Sequence, residues 1–365
     1  MGSLLFIATA VLAVALGLVF HVAVNSPISP LPLTFPSSTL QFPSNDLLQR
    51  VDKMGEGVLE GPEDVCVDDE GTLYTATRDG WIKRMHPING SWESWTLIGG
   101  PSLLGLAIST AGDLLVCDAD MGLLKVSKDG VVTTLASEVD ECKRLIIGLI
   151  IRRRFADEAI EASDGSVYFS DASDKFGLDD WFLDVLEARP HGRLLKYDPI
   201  ANKTSVVLSD LCFPNGVALS ADQDFLIVCE TWRFRCLKYW LKGEHKGETA
   251  IFIDNLPGGP DNINLAPDGS FWIALLSLRS KGLDLIHRSP VAKRVLAMFP
   301  TLRERVKPMV SRAAVVNVGA DGKVIRMLDD SSGKVLSFVT SAVEYKGHLF
   351  LGSLSTNFVG KLPLK

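Results

Sequence analysis

One phrase recurs six times along this chain and limits its fold more than any other feature. It is an apolar alternation, a polar turn carrying Asp or Gly, and a second alternating run. The first copy is Asp64-Val65-Cys66-Val67-Asp68-Asp69-Glu70-Gly71 followed by Leu73-Tyr74-Thr75-Ala76. The second runs from Leu106-Ala107-Ile108 through Ala111-Gly112 to Leu114-Leu115-Val116, and the third from Ala162-Ser163-Asp164-Gly165 to Val167-Tyr168-Phe169. The fourth joins Gly216-Val217-Ala218-Leu219 to Phe225-Leu226-Ile227-Val228, and the fifth joins Asn264-Leu265-Ala266-Pro267-Asp268-Gly269 to Phe271-Trp272-Ile273. Val343-Glu344-Tyr345-Lys346-Gly347 with Leu349-Phe350-Leu351 completes the set.

Period-two alternation on both sides of a short Asp-Gly-type turn marks a β-hairpin. Six hairpins at intervals of roughly 40 to 80 residues predict an all-β, six-bladed β-propeller over residues 56–365. A sandwich or a β-helix fits the spacing less well. With 365 residues, 47% of them hydrophobic, the chain can bury one large core.

Two segments break the β rhythm. Leu178, Trp181, Phe182, Val185 and Leu186 recur at helical spacing, and 291–299 reads as a second helix bounded by Pro290 and Pro300.

The formal net charge of -7, with basic residues scattered, argues against nucleic acid as a partner. The six cysteines contain no CxxC pair, so a zinc site is not expected. Several lie inside apolar runs and read as buried small hydrophobes; Cys229 and Cys236 are the nearest candidates for a disulfide.

Residues 4–24 are almost unbroken apolar sequence, at about 1.5 Å per residue just enough to cross a hydrocarbon core of about 30 Å. Residues 1–24 therefore read as a signal peptide or signal anchor, and 25–55 as a Pro- and Ser-rich linker with a lead-in strand. The secretory pathway follows, with the vacuole lumen as the expected destination and the ER lumen or membrane as the alternative. The membrane is touched only through this segment if it is uncleaved. In a lumen, Asn89-Gly90-Ser91 and Asn202-Lys203-Thr204 become glycosylation sequons.

Several longer phrases carry a family likeness. Pro-His-Gly-Arg-Leu-Leu-Lys-Tyr-Asp-Pro at 190–199, Pro-Asn-Gly-Val-Ala-Leu-Ser at 214–220 and Lys-Tyr-Trp-Leu at 238–241 resemble strictosidine synthase-like proteins. So do Gly-Gly-Pro-Asp-Asn-Ile at 258–263 and Asp-Gly-Ser-Phe-Trp-Ile at 268–273, and the likeness covers nearly everything from Gly61 onward. It implies a propeller with short helical cap insertions, more distantly related to calcium-dependent lactonases and arylesterases of the paraoxonase type. One stretch departs from the pattern: Lys143-Arg144, an apolar run at 145–151, and Arg152 to Arg154. It reads either as a membrane-touching loop or as a product of imperfect gene prediction.

A propeller gathers residues from several blades around one axis, so a site there draws one polar residue per blade. Glu63, Asp157, Asn215 and Asp261 each sit just before a strand of their repeat, with Asn262 as a fifth member. Singly, each is accounted for as a turn residue. Their shared position points to a central polar cluster or a Ca²⁺ site, since hard oxygen donors at this count suit that ion. The resemblance places metal ligands of calcium-binding relatives at the same positions. Trp181 and Phe182, in the expected cap, would line an apolar substrate pocket above it.

The resemblance also implies that true strictosidine synthases use a glutamate shortly before the last hairpin turn. Aligned on Gly347, that region here reads Ser337-Phe338-Val339-Thr340-Ser341, with no carboxylate, and Glu344 falls outside the register. Strictosidine synthase activity is therefore not expected. No GxSxG elbow, HExxH motif or phosphate loop is present, which removes serine hydrolases, zincins and nucleotide-dependent enzymes. Among the histidines, His191 at the end of the expected cap is the candidate base, whereas His86, His245, His287 and His348 read as loop or turn residues. The expectation is a monomeric, metal-dependent hydrolase of ester or lactone small molecules. The alternatives are a ligand- or partner-binding propeller without catalysis, and a condensing enzyme that uses another carboxylate.

Overall fold

The computed structural model describes residues 26–35, 43–137, 155–278, 281–306 and 312–364, together with isolated positions before residue 26. Its strands pair into six four-stranded antiparallel sheets, the blades of a six-bladed β-propeller. Blades 1 to 5 each use four consecutive strands. Their inner strands are Val65–Val67, Leu103–Ile108, Ala156–Glu161, Pro214–Leu219 and Gly258–Leu265. Blade 6 takes three strands from the C-terminal part of the chain, beginning with Val339–Tyr345. It borrows its outer strand, Asp52–Met54, from the N-terminal side, with Asp52 opposite Lys361 and Met54 opposite Val359. That exchange closes the ring without a covalent link.

The recurring phrase becomes the hairpin joining each inner strand to the next. Gly71, Gly112, Gly165, Gly269 and Gly347 take φ between 73° and 91° in five of these turns, a region where a Cβ is strained. Blade 4 has no glycine in the turn, and Gln223 takes the left-handed conformation at φ 56°. Alternate residues on each strand are buried between neighbouring blades, as with Ala107, Leu115 and Leu123 of blade 2 against Ala159, Val167 and Phe169 of blade 3. Cys229 and Cys236 face each other on adjacent strands of blade 4 and form a disulfide; Cys66, Cys117 and Cys212 are free and buried.

A second compact unit is made of Met1–Phe35, Phe182–Arg189 and Ser280–Met309. Within it, the Leu31 N–H donates to the Glu187 carbonyl at 3.0 Å and the Leu33 N–H to the His287 carbonyl at 2.8 Å. The Pro-rich stretch at 28–35 is thus tied into this unit rather than left as a free linker.

Helices Trp181–Glu187 and Pro290–Met298 stand where the periodicity predicts them, and Lys281–Arg288 and Pro300–Val306 are additional. Pro290 and Pro300 read in the sequence as boundaries of one helix. Each proline instead begins a helix, because its missing N–H is unneeded in the first turn. Ser289 caps the Pro290–Met298 helix by accepting from the Ala292 N–H at 3.2 Å. His287 is corrected accordingly: it lies in a helix and is buried, with Phe35 edge-on to its ring.

No helix among the described residues is long and apolar enough to cross a membrane. Most of the apolar N-terminal segment and the whole 143–154 departure lie outside the described residues.

Candidate active site at the propeller axis

The five predicted ligand residues come from blades 1, 3, 4 and 5. In four inner strands the pairing with the second strand skips two residues: Leu104-Gly105, Asp157-Glu158, Asn215-Gly216 and Asp261-Asn262. In blade 6 the register shifts at Thr340. Glu63-Asp64 occupies the same place directly before the first inner strand, with the Glu63 N–H bonded to the Ala76 carbonyl. A bulge frees its residues from the ladder and re-aims their side chains. Each blade therefore offers one side chain at the same level: Glu63, Leu104, Asp157, Asn215, Asp261 and Thr340.

Contacts between blades show that these side chains converge. Asn262 of blade 5 donates to Glu63 Oε1 of blade 1 at 3.4 Å, past blade 6. The Asn215 amide lies beside the Asp261 carboxylate and favours its charged form. The Asp64 carboxyl of blade 1 lies beside that of Glu158 in blade 3.

Such proximity needs small residues between the strands. A Cβ on Gly216 would stand 2.5 Å from the Asp261 carbonyl oxygen, and one on Gly105 would stand 2.5 Å from that of Asp157.

Glu63, Asp64, Asp157, Glu158 and Asp261 are all buried. Burial, reinforced by their mutual repulsion, pushes the Glu63 and Asp261 carboxyls well above the usual range. Burial also raises Asp157 to about 8 and Asp64 to about 6, the latter held down by bonds from the Leu106 and Val65 N–H groups. Arg78, on the loop between the second and third strands of blade 1, offsets part of this charge. Its guanidinium hydrogen-bonds the Pro101 carbonyl.

Four side-chain oxygens here are buried without a hydrogen-bond partner: Glu63 Oε2, Asn215 Oδ1 and Asn262 Oδ1 in the cluster, and Ser341 Oγ at its level. Orphaned acceptors from three blades, beside buried carboxylates, have the chemistry of a hard-cation site. Among the described residues no three carboxylate, imidazole or thiol groups converge on one point. The donor set is instead mixed, and the two amide oxygens are part of it.

His191 immediately precedes the third strand of blade 3, with Nδ1 3.9 Å from Asp174 Oδ1 and its ring edge-on to Phe176. Trp181 stacks on Trp232, whereas the Phe182 side chain is buried in the helical unit. Glu344 accepts from Trp272 Nε1 at 2.8 Å near the opposite end of the blade 6 inner strand, and Thr340 and Ser341 stand at the level of the cluster. Sequence reasoning missed Asp64 and Glu158, although the acidic doublets Glu63-Asp64 and Asp157-Glu158 were visible. For Arg78 and Trp232 no local signal exists.

A strictosidine synthase-like N-terminal model matches residues 41–85, and a strictosidine synthase model matches residues 157–244. Protein STRICTOSIDINE SYNTHASE-LIKE 6 of Arabidopsis thaliana is 36% identical over 336 residues, covering 90% of this chain and 86% of the relative. The chain belongs to the strictosidine synthase-like family. The family likeness extends to animals: the adipocyte plasma membrane-associated protein of Rattus norvegicus is 32% identical, covering 93% of this chain and 94% of that one. Among solved structures, a gluconolactonase from Xanthomonas campestris superposes with a TM-score of 0.60 at 14% identity, covering 93% and 99% of the two chains. The calcium-binding protein regucalcin from Agrobacterium tumefaciens gives 0.55 at 15% identity, covering 86% and 91%. At such identities these structural neighbours establish a shared fold.

Proposed function

We propose that this strictosidine synthase-like protein is a calcium-dependent hydrolase of ester or lactone small molecules. The observation that carries the reading is the trio of orphaned oxygens on Glu63, Asn215 and Asn262 within a cluster of buried carboxylates. Glu63, Asn215, Asp261 and Asn262 would hold Ca²⁺, with Asp157 beside them. When bound, the ion supplies a Lewis acid for the substrate carbonyl and charge stabilisation for the oxyanion formed by attack of water. Leu104 supplies an apolar wall at the level of the ligands and limits water there. His191, near the Asp174 carboxylate, is the candidate acceptor of the proton that the attacking water loses.

The gluconolactonase and regucalcin likenesses support the reading through the fold that they share with this chain. The missing carboxylate at 337–341 weighs against strictosidine condensation. A lumen of the secretory pathway suits the apolar N-terminal segment, the Cys229–Cys236 disulfide and the exposed sequons at Asn89 and Asn202. Turnover of phenyl acetate by the secreted protein tests the proposal. EDTA should abolish turnover and Ca²⁺ restore it, and Glu63→Gln and Asp261→Asn should each lower kcat/KM by about 100-fold or more. Full activity in EDTA would overturn the metal role, and no hydrolysis of any ester or lactone with Ca²⁺ present would overturn the hydrolase.

A further inference from the structure

Three consecutive helices repeat one surface pairing. In each, an exposed aliphatic side chain is followed three residues later by an arginine: Leu285 and Arg288 in Lys281–Arg288, Val291 and Arg294 in Pro290–Met298, and Leu302 and Arg305 in Pro300–Val306. Residues at this spacing are neighbours on a helix surface. Leu285 is 70% exposed, and Phe299, between the second and third helices, is 51% exposed. Large apolar side chains exposed so close together, with cations among them, mark an interaction surface.

Charge singles out the same face. Residues 281–306 hold six Lys or Arg and two acidic residues, in a chain whose net charge is -7. Arg288 and Arg305 are exposed, and among the described residues neither they nor Arg294 has a carboxylate partner. The buried side of the second helix is made of Lys293, Leu296 and Ala297, and there the Lys293 ammonium donates to the Leu31 carbonyl at 2.7 Å.

The place of these helices in the chain says what covers them. The stretch at 28–35 is bonded to them through Leu33 and His287 and through Leu31 and Lys293. It begins just after the apolar run at 4–24, and the seven residues from Val24 to Leu31 reach at most about 25 Å. Where that run enters a bilayer, the helices are held beside the lipid surface.

We infer that the exposed face of these helices lies in a membrane interface with anionic headgroups. Leu285, Val291, Phe299 and Leu302 enter the acyl boundary, and Arg288, Arg294 and Arg305 meet phosphates. Apolar side chains with arginines one turn on are the chemistry of a helix lying in that layer. A second copy meeting this face with its own would bring the arginines together, which like charge opposes. The contact is additional to the apolar N-terminal segment and independent of the hydrolase reading.

The test places the full chain in vesicles of phosphatidylcholine and phosphatidylserine. An environment-sensitive fluorophore is attached at Leu285→Cys, at Leu302→Cys or, as a control on the exposed outer strand of blade 5, at Ile325→Cys. Cys66, Cys117 and Cys212 are buried, and Cys142→Ser removes the one further cysteine outside the disulfide. Nitroxide-labelled lipid should quench positions 285 and 302 about fivefold more than 325. Omitting phosphatidylserine should lower that quenching by about half, and Arg288→Gln with Arg305→Gln should remove the dependence on phosphatidylserine. A fluorophore that stays in water at both positions would overturn the membrane face. So would one that is dehydrated yet out of reach of the nitroxide lipid, the result for a face covered by a second copy.

Discussion

Asp64 joins the first two blades through Leu106: its Oδ2 accepts the Leu106 N–H at 2.7 Å, while its Oδ1 accepts the Val65 N–H at the same distance. One carboxylate thereby satisfies backbone donors on two inner strands at buried positions near the axis. Asp64→Ala leaves the Leu106 N–H buried and unpaired and should cost about 2–4 kcal/mol. Asp64→Asn retains one acceptor and should cost less. Urea unfolding reads both, with the midpoint falling and the slope unchanged.

The raised carboxyls make the chelated protein sensitive to pH in a defined direction. Asp157 is pushed up to about 8 and Asp64 to about 6, so the folded state keeps protons that the unfolded chain releases near pH 4. Stability without calcium is greatest at the acid end of this window and declines as pH rises from about 4 through 8. Calcium should reverse the decline and raise Tm most near pH 8. Thermal melts across pH in EGTA and in Ca²⁺ check this, and identical curves would leave the cluster without an ion.

Close approach at Gly216 sets the spacing of the Asn215 and Asp261 side chains. Gly216→Ala would drive a methyl against the Asp261 carbonyl and the Ile263 N–H, both 2.5 Å from the added carbon. Overpacking of this kind costs about 1–3 kcal/mol. Calcium affinity should fall together with stability, measured by titration and melting on the same variant.

The helical unit carries its own pH dependence. Burial drives the His287 imidazole down to about 3, with Lys293 adding to the effect, so it is neutral when folded and protonates near 6.5 when unfolded. Its contribution is present above about pH 6.5 and is lost progressively as pH falls toward 3. Hydrogen-exchange protection factors in 281–298, corrected for the intrinsic rate at each pH, should fall over that interval, and His287→Phe should flatten the profile.

Asn89 and Asn202 lie on the turns between the third and fourth strands of blades 1 and 3. Antiparallel order puts these turns at the end of the disc opposite the starts of the inner strands. Glycans there would leave the proposed active-site mouth clear. Asn89→Gln and Asn202→Gln should each remove one step of mass sensitive to PNGase F from the secreted protein, with catalysis unaltered.

Hairpins repeat in the sequence because alternation and turn chemistry are local, so six blades could be read from Asp-Gly turns and their flanking strands alone. The same logic picked out Glu63, Asp157, Asn215 and Asp261, since each precedes the alternating run of its repeat in the sequence, although the last three lie within the inner strands, at bulges. Arg78 and Trp232 have no such mark: they become relevant through loops that fold back toward the axis. Cys229 and Cys236 were a legible pair, yet their union depended on a cross-strand register that only pairing could set. The borrowed outer strand Asp52–Met54 was equally invisible as a partner of Val359–Pro363.

What the sequence by itself determined is the repeating unit and the kind of side chain placed at each blade's inner edge, because both follow from short-range backbone preferences. Tertiary structure alone decided which oxygens end up buried without partners and which aromatic rings touch. Those depend on distances between segments up to 200 residues apart, and only closure of the ring makes such distances short.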